Sequence, residues 1–267
     1  MSTFAPPRPR TVLAITGEDA SDFLQGLITN DITRLGKEGL IYAALLSPQG
    51  KVLHTFFISN RDDGGYWLDV HADTASDLMR RLRMFRLRAK VDIKDQSANF
   101  MVALGDKTIG FTDPRSPHLG NRAILPKGDL PMAPPDYDAD RIAACVPDQG
   151  ADFGMEEVFA SDINMDLQNG VAFRKGCYVG QEVVSRMKRR GTIRKRMALA
   201  SFDGPAPANG TIIMAGDARL GDVRSSAGQE QALALVRTDR LEKALEACTL
   251  ITADGVPLTL TLPENQS

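Results

Sequence analysis

The sequence predicts an α+β protein in two parts: mixed and antiparallel sheets with helices over residues 1–195, then a small antiparallel β-barrel over residues 196–267. Three observations carry this. In the first part, runs of apolar, β-branched and aromatic residues alternate with stripes of helical period. After Arg196 the texture changes to short strands punctuated by Gly and Pro, as in a small barrel. Between the two lies a glycine-bracketed stretch, Arg174 to Arg196, that reads as a turn followed by a basic helix.

Thr11 to Ile15 alternates weakly and reads as the first strand, ending at Gly17. Gly17 to Ala20 opens a helix whose Phe23, Leu24 and Leu27 share one face. Thr29-Asn30-Asp31 ends it. Tyr42 to Leu46 and Lys51 to Ser59 form a hairpin around Ser47-Pro48-Gln49-Gly50, with Pro second and Gly fourth in the turn. A third strand, Gly65 to Val70, holds the only tryptophan, Trp67. Asp73 to Arg88 is predicted helical, with Leu78, Leu82 and Phe85 on the apolar stripe and Arg80, Arg81, Arg83, Arg86, Arg88 and Lys90 around it. Such a run is either a solvated face or a polyanion site. Val91 to Leu104 reads as further strands, and Gly105 to Asp140 shows little periodicity apart from a strand over Arg122 to Leu125.

Asp162 and Asp166 lie four apart in the segment Phe159 to Gly170. On a helix they would share a face, while a turn with Asp162 as N-cap is the alternative. The barrel strands are expected at Met197 to Phe202, Gly210 to Met214, Leu220 to Arg224, Ala232 to Arg237 and Leu258 to Leu262, with Pro263 to Ser267 as a polar tail.

Composition is ordinary for a soluble globular chain: 267 residues, 43% hydrophobic, 25% charged, net charge −2. No apolar run reaches the roughly 20 residues that span a bilayer, and Met1 to Arg10 lacks the apolar core of a secretion signal. A cytoplasmic location is therefore expected, with no membrane partner. Cys145, Cys177 and Cys248 are far apart and odd in number, so neither a disulfide framework nor a metal site is signalled.

The chemistry concentrates between Gly176 and Gly180, which bracket Cys177 and Tyr178. A cysteine just ahead of a helix and beside Arg174 and Lys175 sits where positive potential favours thiolate. Cys177 is thus either a reactive thiol or a small hydrophobe packed under a turn. Gln181 to Met187 has helix-forming content, Lys188, Arg189 and Arg190 suit its C-terminal dipole, and Gly191 closes it.

Lys175-Gly176-Cys177-Tyr178-Val179-Gly180-Gln181-Glu182, followed by Arg186, resembles the K-G-C-Y-x-G-Q-E-x-x-x-R signature of the YgfZ family, folate-binding proteins related to the T-protein (aminomethyltransferase) of the glycine cleavage system. The resemblance extends over nearly the whole chain. It takes in the helix, Thr29-Asn30-Asp31 and Pro-x-Gly hairpin, the segment Met84 to Val91, the acidic segment before the motif and the terminal barrel. Arg141 to Pro147 resembles the family's R-x-x-x-G-x-P element, with Cys145 in the place of its glycine. The implied fold is a T-protein-like folate-binding domain followed by a barrel.

The implied cofactor is tetrahydrofolate, bound among Asn30, Asp31, Lys175, Gly176, Tyr178, Gly180, Gln181, Glu182 and Arg186. The implied role is that of an accessory factor, rather than an enzyme, in assembly or repair of iron-sulfur clusters in client enzymes, with Cys177 as its functional thiol and a transient contact to the cluster. Folate and iron-sulfur client or assembly proteins are the implied partners, while tRNA, through tRNA modification, is the partner of an alternative reading drawn from the basic tracts.

Two departures bear on this. The paired aspartates of T-proteins, one of which handles a proton, fall at His54 and Thr55, and a pterin-binding glutamate falls at Ala143. Aminomethyl transfer by that route is not expected. A folate-dependent one-carbon transferase or demethylase and an RNA-interaction module are the alternative readings. The scarcity of aromatics in the basic tracts offers no stacking platform for single strands.

Overall fold

The computed structural model describes residues 9–105, 108–128, 137–191, 193–227 and 230–264. The opening of the Pro-rich N-terminus, Thr192 of the basic tract and the end of the polar tail lie outside the described residues.

The chain begins with β1 (Arg10–Thr16), α1 (Ala20–Gln25), a 3-10 turn (Ile32–Arg34) and α2 (Leu35–Glu38). The hairpin β2 (Leu40–Leu46) and β3 (Val52–Asn60) follows, then β4 (Tyr66–His71), α3 (Ala72–Arg86) and β5 (Asp92–Asp95). These strands form one antiparallel sheet in the order β2-β3-β4-β1-β5. Alternation along each strand gives the sheet two apolar faces. Ile41, Phe56 and Ile58 face a core made with Phe23 and Leu24 of α1 and Leu78 and Leu82 of α3. Tyr42 and Phe57 face a second core on the opposite side.

A smaller sheet, β6 (Phe100–Leu104), β7 (Phe111–Thr112) and β8 (Asn121–Pro126), pairs in the order β6-β8-β7. Buried charges tie it to the large sheet: Arg122 pairs with Asp69 and lies 3.8 Å from the Phe57 ring centre, and Arg115, itself paired with Asp113, lies 4.7 Å from the same ring centre. Then come α4 (Tyr137–Ala143) and, after a series of turns, α5 (Gln181–Arg190).

The rest is a closed barrel: β9 (Lys195–Phe202), β10 (Ile212–Ala215), β11 (Ala218–Ala227), β12 (Gln231–Arg237), α6 (Thr238–Glu246), β13 (Ile251–Ala253) and β14 (Val256–Thr261), in the order β10-β11-β12-β9-β14-β13. Two strands belong to both parts of the molecule. Ala198 and Ala200 of β9, with Ala232, Ala234 and Val236 of β12, fill the barrel. Met197 of β9 and Leu233 and Leu235 of β12 point the other way into the core shared with Tyr42 and Phe57.

Two expectations need correction, and one alternative left open is resolved. Phe85 is 42% exposed, because the buried side of α3 is Ala75, Leu78 and Leu82. Residues 159–170 are turns rather than a helix, so Asp162 and Asp166 do not share a helical face. The barrel has six strands, with β13 and α6 in addition to the five expected.

Candidate functional site

The motif is built on the hairpin. The turn Ser47–Gly50 meets the start of α5, and a Cβ at Gly50, where φ is +80°, would lie 2.8 Å from Val183 Cβ. Gly180 caps α5 at φ +81°, where a Cβ would stand 2.8 Å from the Ser47 carbonyl oxygen. Both glycines are therefore required by positive φ and by close approach together. Gly176 is different. It is exposed, no positive φ is found there, and a Cβ would meet open space, so only one of the two bracketing glycines is demanded by the backbone.

Lys175 carries the second fastening. Its Nζ donates to three carbonyl oxygens of one turn, Gln25 at 2.8 Å, Ile28 at 2.7 Å and Asn30 at 2.7 Å. Burial lowers its pKa to about 8, with Asp31 opposing. Lys175 is thus a clamp that holds the loop to the first domain, and it does not offer its charge to the neighbouring thiol from solvent. Tyr178 is buried in the core shared with the barrel, where burial pushes its hydroxyl up to about 12.

Asn30 and Asp31 also serve structure. The Asn30 amide donates to the carbonyls of Tyr42 at 2.7 Å and Asn169 at 2.6 Å. Asp31 accepts from the Thr33 N–H and hydroxyl and from Gln25, capping the 3-10 turn. Burial raises its pKa, but those hydrogen bonds and Lys175 outweigh it, and the net shift is downward.

Cys177 is exposed between these anchors, whereas Cys145 is buried. Cys145 holds φ +53°, the left-handed conformation that explains a glycine at this place in the resembling family. Its thiol lies 3.4 Å from the Met197 carbonyl, and burial pushes its pKa up to about 12.

Two grooves flank α5, and a further hollow of about 320 Å³ at its start is lined by Pro48, Tyr178, Gly180, Gln181 and Glu182. One, of about 520 Å³, is lined by Gln181, Glu182, Ser185, Arg186 and neighbours on the helix, with Phe173 below. The other, of about 440 Å³, lies between α5 and the barrel and adds Lys51, Phe159, Asp162, Arg194, Lys195 and Arg237. Of the predicted site residues, Gln181, Glu182 and Arg186 face the first groove and Arg186 faces both, while Cys177 lines neither. No residue of α3 lines either groove. Its tract is neutralised only in part, with Arg80 and Arg81 sharing Asp77 and Lys90 on Glu18, while Arg83 and Arg86 donate to the backbone carbonyls of Ile93 and Val91.

Lys51, Phe159 and Arg237 carried no local signal, because contacts across the fold bring them to α5. Lys51 bridges to Phe159 and lies 3.9 Å from its ring centre. Arg194 and Lys195 were visible as part of the basic tract. Asp166 pairs with Arg196 through both oxygens, at 2.8 and 2.7 Å. Asp162 accepts the N–H of Phe159 at 2.9 Å, capping backward rather than as a helix N-cap.

The places of the T-protein aspartates lie on opposite faces of β3, as strand alternation demands. His54 Nε2 is 2.9 Å from Asp77 on α3, and burial lowers the imidazole pKa more than Asp77 lifts it. Thr55 points inward, where its N–H and hydroxyl both reach Gln149 Oε1, at 2.8 and 3.2 Å. Gln149, 1% exposed, donates in turn to the Leu53 carbonyl at 2.9 Å. That place is closed by the chain's own amide and does not fit a pterin. The α5 grooves have volumes within the range of cofactor sites, about 300 to 1,000 Å³, and present cations suited to carboxylates.

A five-stranded sheet flanked by helices, a clamped cysteine loop and a closed six-stranded barrel define the class of an aminomethyltransferase-like scaffold. The chain superposes on the glycine cleavage system aminomethyltransferase T from Bartonella henselae with a TM-score of 0.67, covering 96% of this chain and 83% of that one at 13% identity. At that identity the likeness speaks to fold alone.

Residues 194–267 match the family model described as CAF17, C-terminal beta-barrel domain. Similar full-length proteins are named iron-sulfur cluster assembly factor IBA57 homolog, mitochondrial. The one from Pyricularia oryzae is 34% identical over 73% of this chain and 56% of its own length, and that from Mycosarcoma maydis is 33% identical over 72% and 55%. The chain therefore spans little more than half the length of these relatives.

Proposed function

We propose that this chain is an accessory factor for assembly or repair of iron-sulfur clusters in other proteins, a YgfZ-type protein that binds tetrahydrofolate and uses Cys177 as its working thiol. The observation that carries the reading is the 34% identity to a protein named as an iron-sulfur cluster assembly factor. The exposed thiol on a loop pinned by Lys175 and Gly180 supports it, since a group meant to meet a partner's cluster must be both accessible and held. The cluster is cargo in this reading. Cys177 would contribute one ligand transiently, and the partner's thiolates would complete the set of four.

One-carbon transfer by the T-protein route is disfavoured because His54 faces Asp77 on the other side of the sheet and Thr55, bonded to Gln149, has no titrating group to take the carboxylate's part. The domain boundary near residue 195 is part of the proposal, as are iron-sulfur client proteins as partners. Arg186, Arg194 and Lys195, whose side chains make no ion pair among the described residues, keep RNA as the second reading, and a steep salt dependence of tRNA binding would support it.

Among the described residues no helix is long and apolar enough to cross a membrane. The cytoplasm is the proposed location. Fractionation distinguishes it from the mitochondrial location in the relatives' names.

The test is complementation with Cys177→Ala. Cells carrying it should lose the activity of cluster-dependent enzymes while the variant accumulates folded at the wild-type level. Full enzyme activity in that strain would remove the thiol from the function.

A further inference from the structure

We infer that the exposed end of α3, where Met84, Phe85 and Leu87 stand among arginines, is a docking surface for a partner protein, which seats there an amphipathic segment whose apolar residues are flanked by Asp and Glu. The surface lies apart from both α5 grooves and does not depend on folate.

Three observations support it. Buried and exposed residues alternate along the earlier turns of α3, but Arg83 to Arg88 is an unbroken exposed run. Within it Met84 is 65% exposed, Phe85 42% and Leu87 88%. Single apolar residues are normal on a protein surface, whereas a cluster of large ones rimmed by charge marks a place of contact.

The second observation is the backbone at Leu87. It holds φ +43° and ψ −106°, a conformation that glycine takes freely and that costs a residue with a Cβ. A glycine would end the helix there with less strain, as Gly191 does for α5. The chain instead carries a large apolar side chain and leaves it in solvent, so the leucine brings strain to the fold without burial. Strain of this kind persists where the side chain has a use beyond the fold.

The third is charge. Arg80 and Arg81 share the single carboxylate of Asp77, and Arg83 and Arg86 donate to backbone carbonyls, which leave their charge uncancelled. Asp92 lies close enough to feel Arg86 but is paired with Lys94. Arg88 is exposed and makes no hydrogen bond or ion pair among the described residues. A positive, apolar surface on a chain of net charge −2 calls for a negative, apolar complement.

The residue types favour protein over other anions. Phe, Met and Arg are enriched at protein interfaces and Lys is depleted there; the one lysine at this end, Lys90, is already paired with Glu18. Guanidinium also meets a carboxylate through two parallel hydrogen bonds. RNA phosphates would engage the arginines and leave the three apolar side chains without a role.

Photo-crosslinking in cells tests this, with p-benzoylphenylalanine placed at Phe85 of the full chain and, as a control for chance capture, at the exposed Leu245 of α6. The peptide captured from Phe85 alone should carry apolar residues at helical spacing flanked by Asp or Glu. Titrated as a synthetic peptide against the purified chain, it should bind about tenfold or more weakly to Leu87→Gly and to Arg88→Glu, the loss expected for a central interface residue. Leu87→Gly should meanwhile keep the wild-type urea midpoint or raise it, a split that a structural role for the leucine would not produce.

A captured segment that is neutral or basic, capture of a second copy of this chain, absence of any capture, or an affinity that neither variant moves would each overturn the inference. So would sedimentation of the chain with phosphatidylserine and phosphatidylcholine vesicles that Leu87→Gly abolishes, which would assign the surface to lipid. All of these outcomes leave the cluster-assembly reading to be judged by Cys177→Ala.

Discussion

The Lys175–Arg186 stretch divides into two regions of opposite character. Lys175, Tyr178 and Gly180 are turned inward, onto three carbonyls, into the shared core and against the hairpin turn. Cys177 and Arg186 stay exposed, and the short spacing between them lets the inward set hold the outward set in place. A motif dense in polar residues is thus mainly a mounting, and the chemistry it presents is confined to one sulfur and a helix flank.

The comparison breaks most visibly at the thiols. Cys177 should react with a thiol reagent at the rate of an exposed cysteine, whereas Cys145 should wait for the protein to open. With typical stabilities of about 5 kcal/mol or more, that protection amounts to at least about a thousandfold in rate. Cys248 is also exposed, so the measurement is made in a Cys248→Ser background. Equal rates at Cys145 and Cys177 would dissolve the distinction between them.

Next in size is the clamp. Lys175→Met removes the donor from three buried acceptors at once and should cost about 3 kcal/mol, since each unsatisfied buried group costs roughly 1 to 3 kcal/mol and some find water. Urea unfolding measures it. A loss under about 1 kcal/mol would mean that the loop is held by Tyr178 and Gly180 alone.

The glycines sharpen the same contrast. Gly180→Ala forces a side chain into positive φ and against the Ser47 carbonyl, and should destabilise by about 2 kcal/mol. Gly176→Ala should stay within about 0.5 kcal/mol, because it meets open space. The sequence treats the pair as equals, so equal losses would restore the symmetrical reading.

Why the sequence was legible in some places and silent in others follows from where each signal resides. The hairpin, α1, α5 and its closing Gly191 are encoded locally, by turn chemistry, apolar period and a left-handed cap at φ +62°. The missed α6 buries only Leu241 and Ala244, too short a stripe to stand out, and β13 has three residues. Phe85 keeps the helical period but lies beyond the buried stripe, which ends at Leu82. Gln149 shows no local sign of its role, because the Thr55 it satisfies lies in a distant strand. The groove has the same character. Arg194 and Lys195 could be seen in a charged run, but Lys51 and Phe159 reach it only through the fold.

The remaining effect concerns the charge on Lys175. Burial lowers its pKa from 10.5 to about 8, so between those values the unfolded chain keeps a proton that the folded chain sheds. Stability then rises with pH across that window, because the state binding more protons is penalised as protons become scarce. This contribution is fully present above 10.5 and is lost as pH falls through about 8. It should appear as a positive slope in the wild type that Lys175→Met lacks, read as the difference between their urea midpoints at several pH values. The three carbonyls pull the other way, since each stabilises the ammonium. A difference that falls with pH over the same window would mean that the cage outweighs burial, and that the clamp holds by charge rather than in spite of it.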